Sequence, residues 1–380
     1  MLKKLKTLFT PETKSFRAQP LVAMHSVGQP QWSSRNYASL ATIGFAGNAI
    51  GYRAVRMIAE AAASVPLLLY QGDKEIISHP MKALLARPNP AQEGRALIEN
   101  IISFLLVAGN SYIEVSTIDE TPRELVVLRP DRMRLIPDAR GWTSQYEYSV
   151  NGQSIRLPAE NILHIKLFNP PDDYYGMSPL EAAARAIDTH NSAAGWNKAM
   201  LDNAARPSGA LVFSGGDGSM TQEQFTRLKS ELEENFQGAA NAGRPMVLEG
   251  GLDWKEMGYS PKDMEFIAAK DSSAREIALA FGVPPMLLGI PGDNTFSNYA
   301  EANRTFWRQT VIPLLGRVTE SLSAFIGPRF GEDLRLDVDL DRVEALAPDR
   351  DALWKRVNDA NFLTTAEKRQ AVGYGANTVT

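Results

Sequence analysis

Residues 275–307 read REIALAFGVPPMLLGIPGDNTFSNYAEANRTFW and place a long loop between two helical patterns. The first pattern begins near Pro261 and ends before Gly282. The loop then contains prolines, glycines and aliphatic residues, but no recognisable catalytic group. The second pattern carries the aromatic residues Tyr299, Phe306 and Trp307. The sequence therefore predicts two helices joined by a partly apolar loop, and the question is what such a loop does.

The composition of the 380-residue chain is that of a globular protein, with 44% hydrophobic and 22% charged residues. It excludes a fully disordered chain. The absence of cysteine excludes disulfides and thiolate metal sites. The net charge of −4 neither indicates nor excludes a surface for nucleic acid. No apolar run approaches the length of a membrane span, so we expect no membrane partner.

Residues 1–45 are predicted to form a flexible basic N-terminal arm. The first forty residues carry six lysines and arginines but one acidic residue, Glu12. The start resembles a signal peptide, but no apolar segment follows it. A surface that meets nucleic acid or anionic lipid is the alternative interpretation of this arm.

The first half of the chain is predicted to be an α+β unit. Helical periodicity at 48–65 precedes a short strand at 66–70, and a strongly apolar helix ends at Gly109-Asn110. From Glu124 to Leu167 the period changes to two, which predicts an antiparallel sheet. Asn151-Gly152 predicts a two-residue hairpin within it.

The second half begins with the pattern Ser178-Pro179-Leu180-Glu181, which indicates a capped helix of about 25 residues. Residues 207–258 are predicted to form a compact module with a strand, a helix and two further strands. An alternating strand, DLRLDVDLD, follows the helices that flank the loop. Two C-terminal helices come last, and Thr364 with Glu367 predicts a capping box on the second.

Candidate catalytic groups are sparse. His164 alternates with apolar neighbours on a strand and is expected to face solvent or a neighbouring domain. Asp337, Asp339 and Asp341 have period-two spacing, which predicts one carboxylate-bearing strand face. That face is capable of holding a divalent cation, but a solvated face is the favoured interpretation. We find no phosphate-binding loop, and we predict no catalytic residue, cofactor or metal. The pattern favours a structural component over an enzyme.

Several stretches resemble the portal proteins of tailed bacteriophages, in the compact form of long-tailed phages, prophages and gene-transfer particles. The resemblance covers about residues 45–373 in order. It rests on NAIGYRAVRMIAEAAASVPLLLY, RPNPAQ, AGNSYIEV, LRPDRMRLIPD, ILHIKLFNPPDDYYGMSPLEAA, PSGALVF, LEGGLDWKEMGYSPKDMEF, the stretch at 275–307 and FLTTAEKRQAVG.

The resemblance implies a ring-forming portal-type fold with an α/β wing, a two-helix stem, a small α/β clip and a reduced C-terminal crown. The expected boundaries are the following: wing 46–176 and 298–345, stem helices 177–206 and 259–282, clip 207–258, tunnel loop 283–297, and crown 346–380.

The resemblance also implies which residues meet DNA and partners. The expected tunnel-loop residues facing DNA are Met286, Leu287, Ile290, Pro291, Asp293, Asn294 and Thr295. In the alternative, Pro284, Pro285 and Met286 pack between subunits and only Ile290 to Thr295 reach the bore. Candidate phosphate contacts on the second stem helix are Lys262, Lys270 and Arg275, with ion pairing between subunits as the alternative. Candidate partner-binding residues of the clip are Arg244, Glu249, Asp253 and Trp254.

The implied function is a channel at one capsid vertex through which double-stranded DNA is packaged and ejected. The expected partners are further copies in a ring of about twelve, DNA, the terminase large subunit, head–tail connectors, and the major capsid and scaffold proteins. The location is the virion, after assembly in the bacterial host cytoplasm. Two alternatives stay open: a capsid-associated adaptor that does not contact DNA, and a metal-dependent nuclease using the three aspartates.

Overall fold

Two amphipathic helices organise the core of the computed structural model. Helix α2 (Ala49–Ser64) begins at Asn48, whose side-chain oxygen accepts a hydrogen bond from the Gly51 N–H at 2.9 Å. Helix α4 (Gly94–Ala108) packs against it and is apolar enough to bury most of its length. Helix α3 (Pro80–Ala86) lies between them in sequence, with proline at its first position. The helices predicted here are confirmed.

The structure describes residues 30–202, 209–213, 223, 226–227, 230, 252–256, 266–292, 296–331 and 333–374. The chain from Ser33 onward forms one compact unit. The statements that follow concern residues of this unit.

Three antiparallel sheets of three strands each carry the β structure of the first half. The strand orders are β11-β1-β2, β4-β3-β8 and β5-β6-β7. The strands are β1 Leu67–Gln71, β2 Lys74–Glu75, β3 Asn110–Ile118, β4 Thr121–Leu128, β5 Met133–Pro137, β6 Thr143–Val150, β7 Gln153–Pro158, β8 Ile162–Lys166 and β11 Leu334–Val338. The prediction of a single sheet is therefore wrong, because sequence periodicity predicts strands but not which strands pair with each other. The antiparallel α+β class is confirmed.

The hairpin between β6 and β7 has the predicted turn. Asn151 and Gly152 have φ values of 51° and 80°, the left-handed values that a two-residue turn of this kind needs. The register continues through Val150 opposite Gln153.

The helix predicted from Ser178 is interrupted after one turn. Ser178 accepts a hydrogen bond from the Glu181 N–H at 2.9 Å and starts helix α5 (Pro179–Ala182). Ala183 then adopts ψ of −3°, which ends α5, and helix α6 (Ala184–Asp202) continues the path. One continuous helix of 25 residues was the wrong expectation, because the alanine-rich sequence gives no signal for the break.

After α6, the described residues include a two-stranded antiparallel ribbon and the helices α7 to α11. The ribbon joins β9 (Gly209–Phe213) to β10 (Leu252–Glu256). The helices are α7 Phe266–Ala280, α8 Phe296–Phe306, α9 Ile312–Ile326, α10 Ala347–Asp359 and α11 Thr365–Ala371. A π-helical turn at Trp307–Val311 joins α8 to α9. The predicted capping box of Thr364 and Glu367 is confirmed at the start of α11.

The N-terminal region departs from the predicted loose arm of residues 1–45. Helix α1 (Tyr37–Ser39) continues as a π-helical turn at Leu40–Ala46. Ser33 donates from its N–H and its hydroxyl to Asp188 on α6, at 2.9 and 3.0 Å. Gly44 lies close to Leu180, since a Cβ there would come within 3.1 Å of that side chain. Ordered structure therefore begins well before residue 45; residues 1–29 lie outside the described part.

The main core crosses from the sheets to the later helices. Its buried members include Ile58 of α2, Leu105 of α4, Leu180 of α5, Ile277 of α7 and Leu315 of α9. The β11 strand pairs with β1 across a long separation in sequence, since Leu67 lies opposite Val338, 271 positions later. A strand from the later part of the chain thus completes the sheet that contains β1 and β2.

Candidate channel site

Helices α6 and α7, which lie within the ranges predicted for the two stem helices, pack against each other, and we call them the predicted stem pair. Small residues make the close approach possible: Ala184, Ala186 and Ala193 are buried on α6, and Ala274 and Ala278 are buried on α7. The larger contacts are Ile187 and Ile277, which belong to the main core. The pair is therefore fixed to the rest of the subunit by apolar packing along its base.

A buried polar cluster joins the stem pair to α2. The Asn48 side-chain nitrogen donates to His190 Nδ1 at 3.1 Å and to the Asn191 side-chain oxygen at 2.8 Å. Because the Asn48 oxygen already accepts from Gly51, its nitrogen must face the imidazole, so Nδ1 is the acceptor. Burial, and then the positive charge of Lys270, lower the pKa of His190. The imidazole is therefore neutral at this contact.

Helix α7 ends in a Schellman motif at Gly282. The Val283 N–H donates to the Ala278 carbonyl at 2.9 Å, and the Gly282 N–H donates to the Leu279 carbonyl at 3.0 Å. Gly282 has φ of 65°, which favours glycine. The Thr310 hydroxyl donates to the Gly282 carbonyl at 2.6 Å. This turn sends the chain sharply away from the helix.

The loop after Gly282 folds onto its own subunit. Residues Pro285–Leu288 form a 3-10 turn, in which the Leu287 N–H donates to the Pro284 carbonyl at 3.0 Å. Leu287 is buried in the main core, and Ile290 is buried against Ala274 and Ala278 of α7. The expectation that these two side chains face DNA is therefore corrected, because their apolar surface is used inside the subunit. Met286 is half-buried, and Pro291 is exposed.

Arg275 anchors the far end of this loop. Its guanidinium donates to the Pro291 carbonyl, and a Cβ on Gly292 would come within 2.8 Å of the same guanidinium. Arg275 thus holds the backbone of the loop in this conformation, a role different from the predicted phosphate contact. Lys270 is half-buried near His190. Lys262 lies outside the described residues.

Several predicted site residues lie beyond what the structure describes. They are Asp293, Asn294 and Thr295 of the loop, and Arg244 and Glu249 of the predicted clip. Asp253 and Trp254 lie on β10, where the backbone pairs with Val212 and Leu211 of β9. The strand that bears these two clip candidates is therefore paired with β9.

The three aspartates do not share one strand face. Strand β11 ends at Val338, so only Asp337 belongs to it, and Asp339 caps the 3-10 turn that follows. Asp341 accepts from Arg350 Nε and from the Tyr374 hydroxyl, both at 2.6 Å. Within the described ranges, no cluster of three or more acidic or histidine side chains is suited to hold a metal ion. The expectation of a shared carboxylate face is wrong, because the strand ends early.

His164 also departs from its expected place. Its ring stacks on Tyr112 with centroids 4.3 Å apart, and its Nε2 lies 3.0 Å from the Asn110 side-chain oxygen. Burial, with a smaller effect from Lys166, lowers its pKa to about 3. The histidine is therefore a neutral packing residue rather than a solvent-facing one.

Two residues that position the loop were not predicted from the sequence. They are Thr310, and Arg275 in its role as an anchor of the loop. The sequence did contain a signal for the turn itself, since AFGVPP places glycine and then prolines directly after a helical pattern. Thr310 lies 28 positions after the Gly282 carbonyl that it binds, and Arg275 lies 16 positions before the Pro291 carbonyl that it binds, so no local pattern predicts either contact.

Comparison with known proteins places this arrangement in a family. The family model described as "Phage portal protein" matches residues 49–373. The chain belongs to the phage portal protein family. This confirms the resemblance, and the mixed helix-and-sheet fold is the fold of that family.

Relatives and solved structures agree with the family match. A protein of Rickettsia bellii is 43% identical over 333 residues, which is 86% of each chain. The probable portal protein of Streptomyces phage phiC31 is 26% identical over 80% of this chain and 69% of its own. A chain from the neck of an empty gene transfer agent particle, computed with C6 symmetry, is 51% identical, with a TM-score of 0.72. The match covers 92% of this chain and 96% of that one.

Among the helices of the described ranges, none is both long enough and apolar enough to cross a membrane.

Proposed function

We propose that this chain assembles into a closed ring of about twelve copies at one vertex of a capsid, and that double-stranded DNA passes through its centre during packaging and ejection. The observation that carries the proposal is the similarity to necks of gene transfer agent particles. One such neck was computed with C12 symmetry, and its chain is 50% identical to 93% of this chain, with a TM-score of 0.69. Similarity at this level favours the same assembly.

We place the DNA path along helices α6 and α7 and the loop at 283–297. Leu287 and Ile290 hold this loop on the subunit, so the part offered to the bore is the stretch from Pro291 to Thr295. This stretch has proline, glycine, Asp293, Asn294 and Thr295, and no lysine or arginine. A passage for a sliding polyanion benefits from such a surface, because multiple basic contacts to phosphates bind DNA strongly.

The ring has further partners in this proposal. Residues 207–258, with the β9–β10 ribbon, form the clip that binds the terminase large subunit during filling and head–tail connector proteins afterwards. The terminase supplies the energy for packaging. The major capsid and scaffold proteins surround the ring, and the particle is assembled in the cytoplasm of a bacterial host.

The assembly is tested by the mass of the purified protein in solution. Twelve chains of 41.8 kDa give a particle of about 500 kDa. Light scattering should detect this mass, and negative-stain images of the same peak should show a ring with a central hole. A chain that stays monomeric at high concentration, with no ring in any image, would contradict the proposal.

The DNA path is tested by reversing the charge of Asp293. Asp293→Lys in every subunit adds a ring of cations to the bore, and phosphate binding should retard DNA there. We expect the DNase-protected DNA per particle to fall several-fold, with recovery at higher salt. The matched control is Asp73→Lys, in the exposed turn between β1 and β2. Unchanged packaging by both variants would favour an adaptor that does not contact DNA.

A further inference from the structure

A groove of about 850 Å³ lies where the C-terminal end of α2, strand β1, helix α3 and the first turn of α4 meet. Its lining includes the apolar residues Leu67, Leu85 and Ile98, and we call this apolar part its floor. The start of α4 crosses the end of α3 at backbone contact, since a Cβ on Gly94 would lie 2.2 Å from the Leu85 carbonyl oxygen. Both residues of this crossing line the groove. We call it the α3–α4 groove.

The walls of the α3–α4 groove are positively charged. They carry Lys82, Arg87 and Arg95, against one acidic side chain, Glu93. Arg87 and Arg95 are exposed, and Lys82 is half-buried. None of these three cations forms an ion pair with another residue of the described chain. Arg56 on the neighbouring helix α2, by contrast, is paired with Glu60 and Glu99. The groove therefore has a net positive charge that the described residues do not neutralise by ion pairing.

The first turn of α4 adds to the positive potential of the α3–α4 groove. Glu93 occupies the N-cap position before α4, but its side chain makes no capping hydrogen bond. The first N–H groups of the helix therefore have no hydrogen bond to the N-cap side chain. A helix start of this kind favours a carboxylate nearby. It reinforces the attraction of the three cations for an anionic ligand.

We propose that the α3–α4 groove binds an acidic peptide segment of a partner protein, with apolar side chains on the floor and carboxylates against Lys82, Arg87 and Arg95. An apolar centre inside an exposed polar rim is the anatomy of a protein–protein contact. A small-molecule site has convergent buried polar groups instead, whereas these cations stand at the rim. The N-terminal arm of this chain is basic and has the wrong charge for the groove.

A defined peptide tests the proposal with the full-length protein. The probe is the fluorescein-labelled peptide EELLGELLEE, titrated by fluorescence anisotropy. One comparison peptide has lysine at every glutamate position, and a second has serine at every leucine position. The variant is Arg87→Glu with Arg95→Glu, and the matched control is Arg140→Glu, an exposed arginine in the loop between β5 and β6.

We expect the probe to bind the wild-type chain and the Arg140→Glu control equally, and the double variant at least tenfold more weakly. Both comparison peptides should bind at least tenfold more weakly to the wild type. Equal binding to the double variant would overturn the proposal. Equal binding of the serine peptide would also overturn it, because the floor would then be unused.

Two other occupants are separated by the same variants. A 20-base-pair DNA duplex that loses affinity in the double variant, while the peptide probe fails to bind, would assign the groove to phosphates. A double variant that loses the ring mass seen by light scattering would assign it to a neighbouring copy. Either result would overturn the peptide proposal, and neither depends on whether the ring conducts DNA.

Discussion

Helices α4 and α7 both end at a left-handed glycine, yet the two ends are built differently. Gly109 has φ of 73° and Gly282 has φ of 65°. A Cβ on Gly109 would lie 2.4 Å from the backbone oxygen of Gly176. A Cβ on Gly282 would meet the Thr310 hydroxyl at 2.8 Å. The first end is thus enclosed by backbone, and the second by a side chain.

The α4 end is further fixed by buried hydrogen bonds. The Leu167 N–H donates to the Gly109 carbonyl at 2.9 Å. The buried Asn110 accepts from the Gly176 N–H at 2.8 Å and donates to the Gly176 carbonyl at 3.2 Å. Removal of any one of these partners leaves another buried polar group without its hydrogen bond.

Beyond the backbone hydrogen bonds of its Schellman motif, the α7 end is fixed by side chains at the surface, Thr310 and Arg275. Such side chains can change rotamer without moving a strand, whereas the backbone around Gly109 cannot shift without moving strand β8. The comparison therefore separates a rigid junction from an adjustable one, and the adjustable one carries the loop that we propose faces DNA.

The largest expected effect comes from Gly109→Ala. A left-handed alanine alone costs about 1–3 kcal/mol. At this position the Cβ must also displace the backbone of Gly176, so we expect a total of at least about 4 kcal/mol in the free energy of unfolding, or no folded protein. Guanidinium denaturation followed by circular dichroism measures this. The matched control is Gly331→Ala, because Gly331 has the same φ of 73° and open space around its Cβ.

Gly331→Ala should cost only the conformational term, about 1 kcal/mol. A Gly109→Ala variant as stable as this control would show that the backbone at Gly176 moves freely. The distinction between a rigid and an adjustable junction would then fail.

The next effect is a dependence of stability on pH at the same junction. Asn110 accepts from His164 Nε2, and the pKa of His164 in the folded chain is about 3. An unfolded histidine has a pKa of about 6.5, so between pH 6.5 and 3 the unfolded chain binds a proton that the folded chain does not. Stability should therefore fall as the pH falls through this range, by up to about 1.4 kcal/mol per pH unit for this residue.

The contribution of His164 is isolated with His164→Gln. Glutamine keeps a hydrogen-bond donor for Asn110 but does not titrate. Between pH 6 and 4, the free energy of unfolding of the variant should therefore change less steeply with pH, by the equivalent of one bound proton. Denaturation at several pH values measures both slopes. Equal slopes would mean that His164 gains its proton in the folded chain, and would argue against the rigid, dry environment of this junction.

The two junctions differ in how well the sequence predicts them. Both glycines follow helical periodicity, and both helix ends are predicted correctly. The distant partners are not: Gly176 is 67 positions from Gly109, and Thr310 is 28 positions from Gly282. Local patterns report backbone propensity, while these contacts depend on how the three sheets and the later helices come together.

The same reason explains the corrections at the candidate site. The apolar character of Leu287 and Ile290 is visible in the sequence, but an apolar side chain in a loop has two destinations, the subunit core or an open surface. The burial of Ile290 depends on Ala274 and Ala278, whose small size leaves the space that it fills. The family, by contrast, is evident from the order of the quoted stretches alone.

The smallest effect that we predict comes from Gly282→Ala, at about 1–2 kcal/mol in the free energy of unfolding. The left-handed conformation accounts for most of it, and the contact with the Thr310 hydroxyl adds the rest. Gly289→Ala is the matched control, since Gly289 has φ of 74° in the same loop and nothing within 4 Å of its Cβ.

A double-mutant cycle with Thr310→Ala sharpens this prediction. Thr310→Ala removes the hydroxyl that the new Cβ meets, so Gly282→Ala should cost less in that background than in the wild type and approach the cost of Gly289→Ala. The corresponding relief is not expected at Gly109, because no side-chain truncation removes the Gly176 carbonyl. If Thr310→Ala left the cost of Gly282→Ala unchanged, the Thr310 hydroxyl would not restrict the new Cβ, and the enclosure of the α7 end by a side chain would be contradicted.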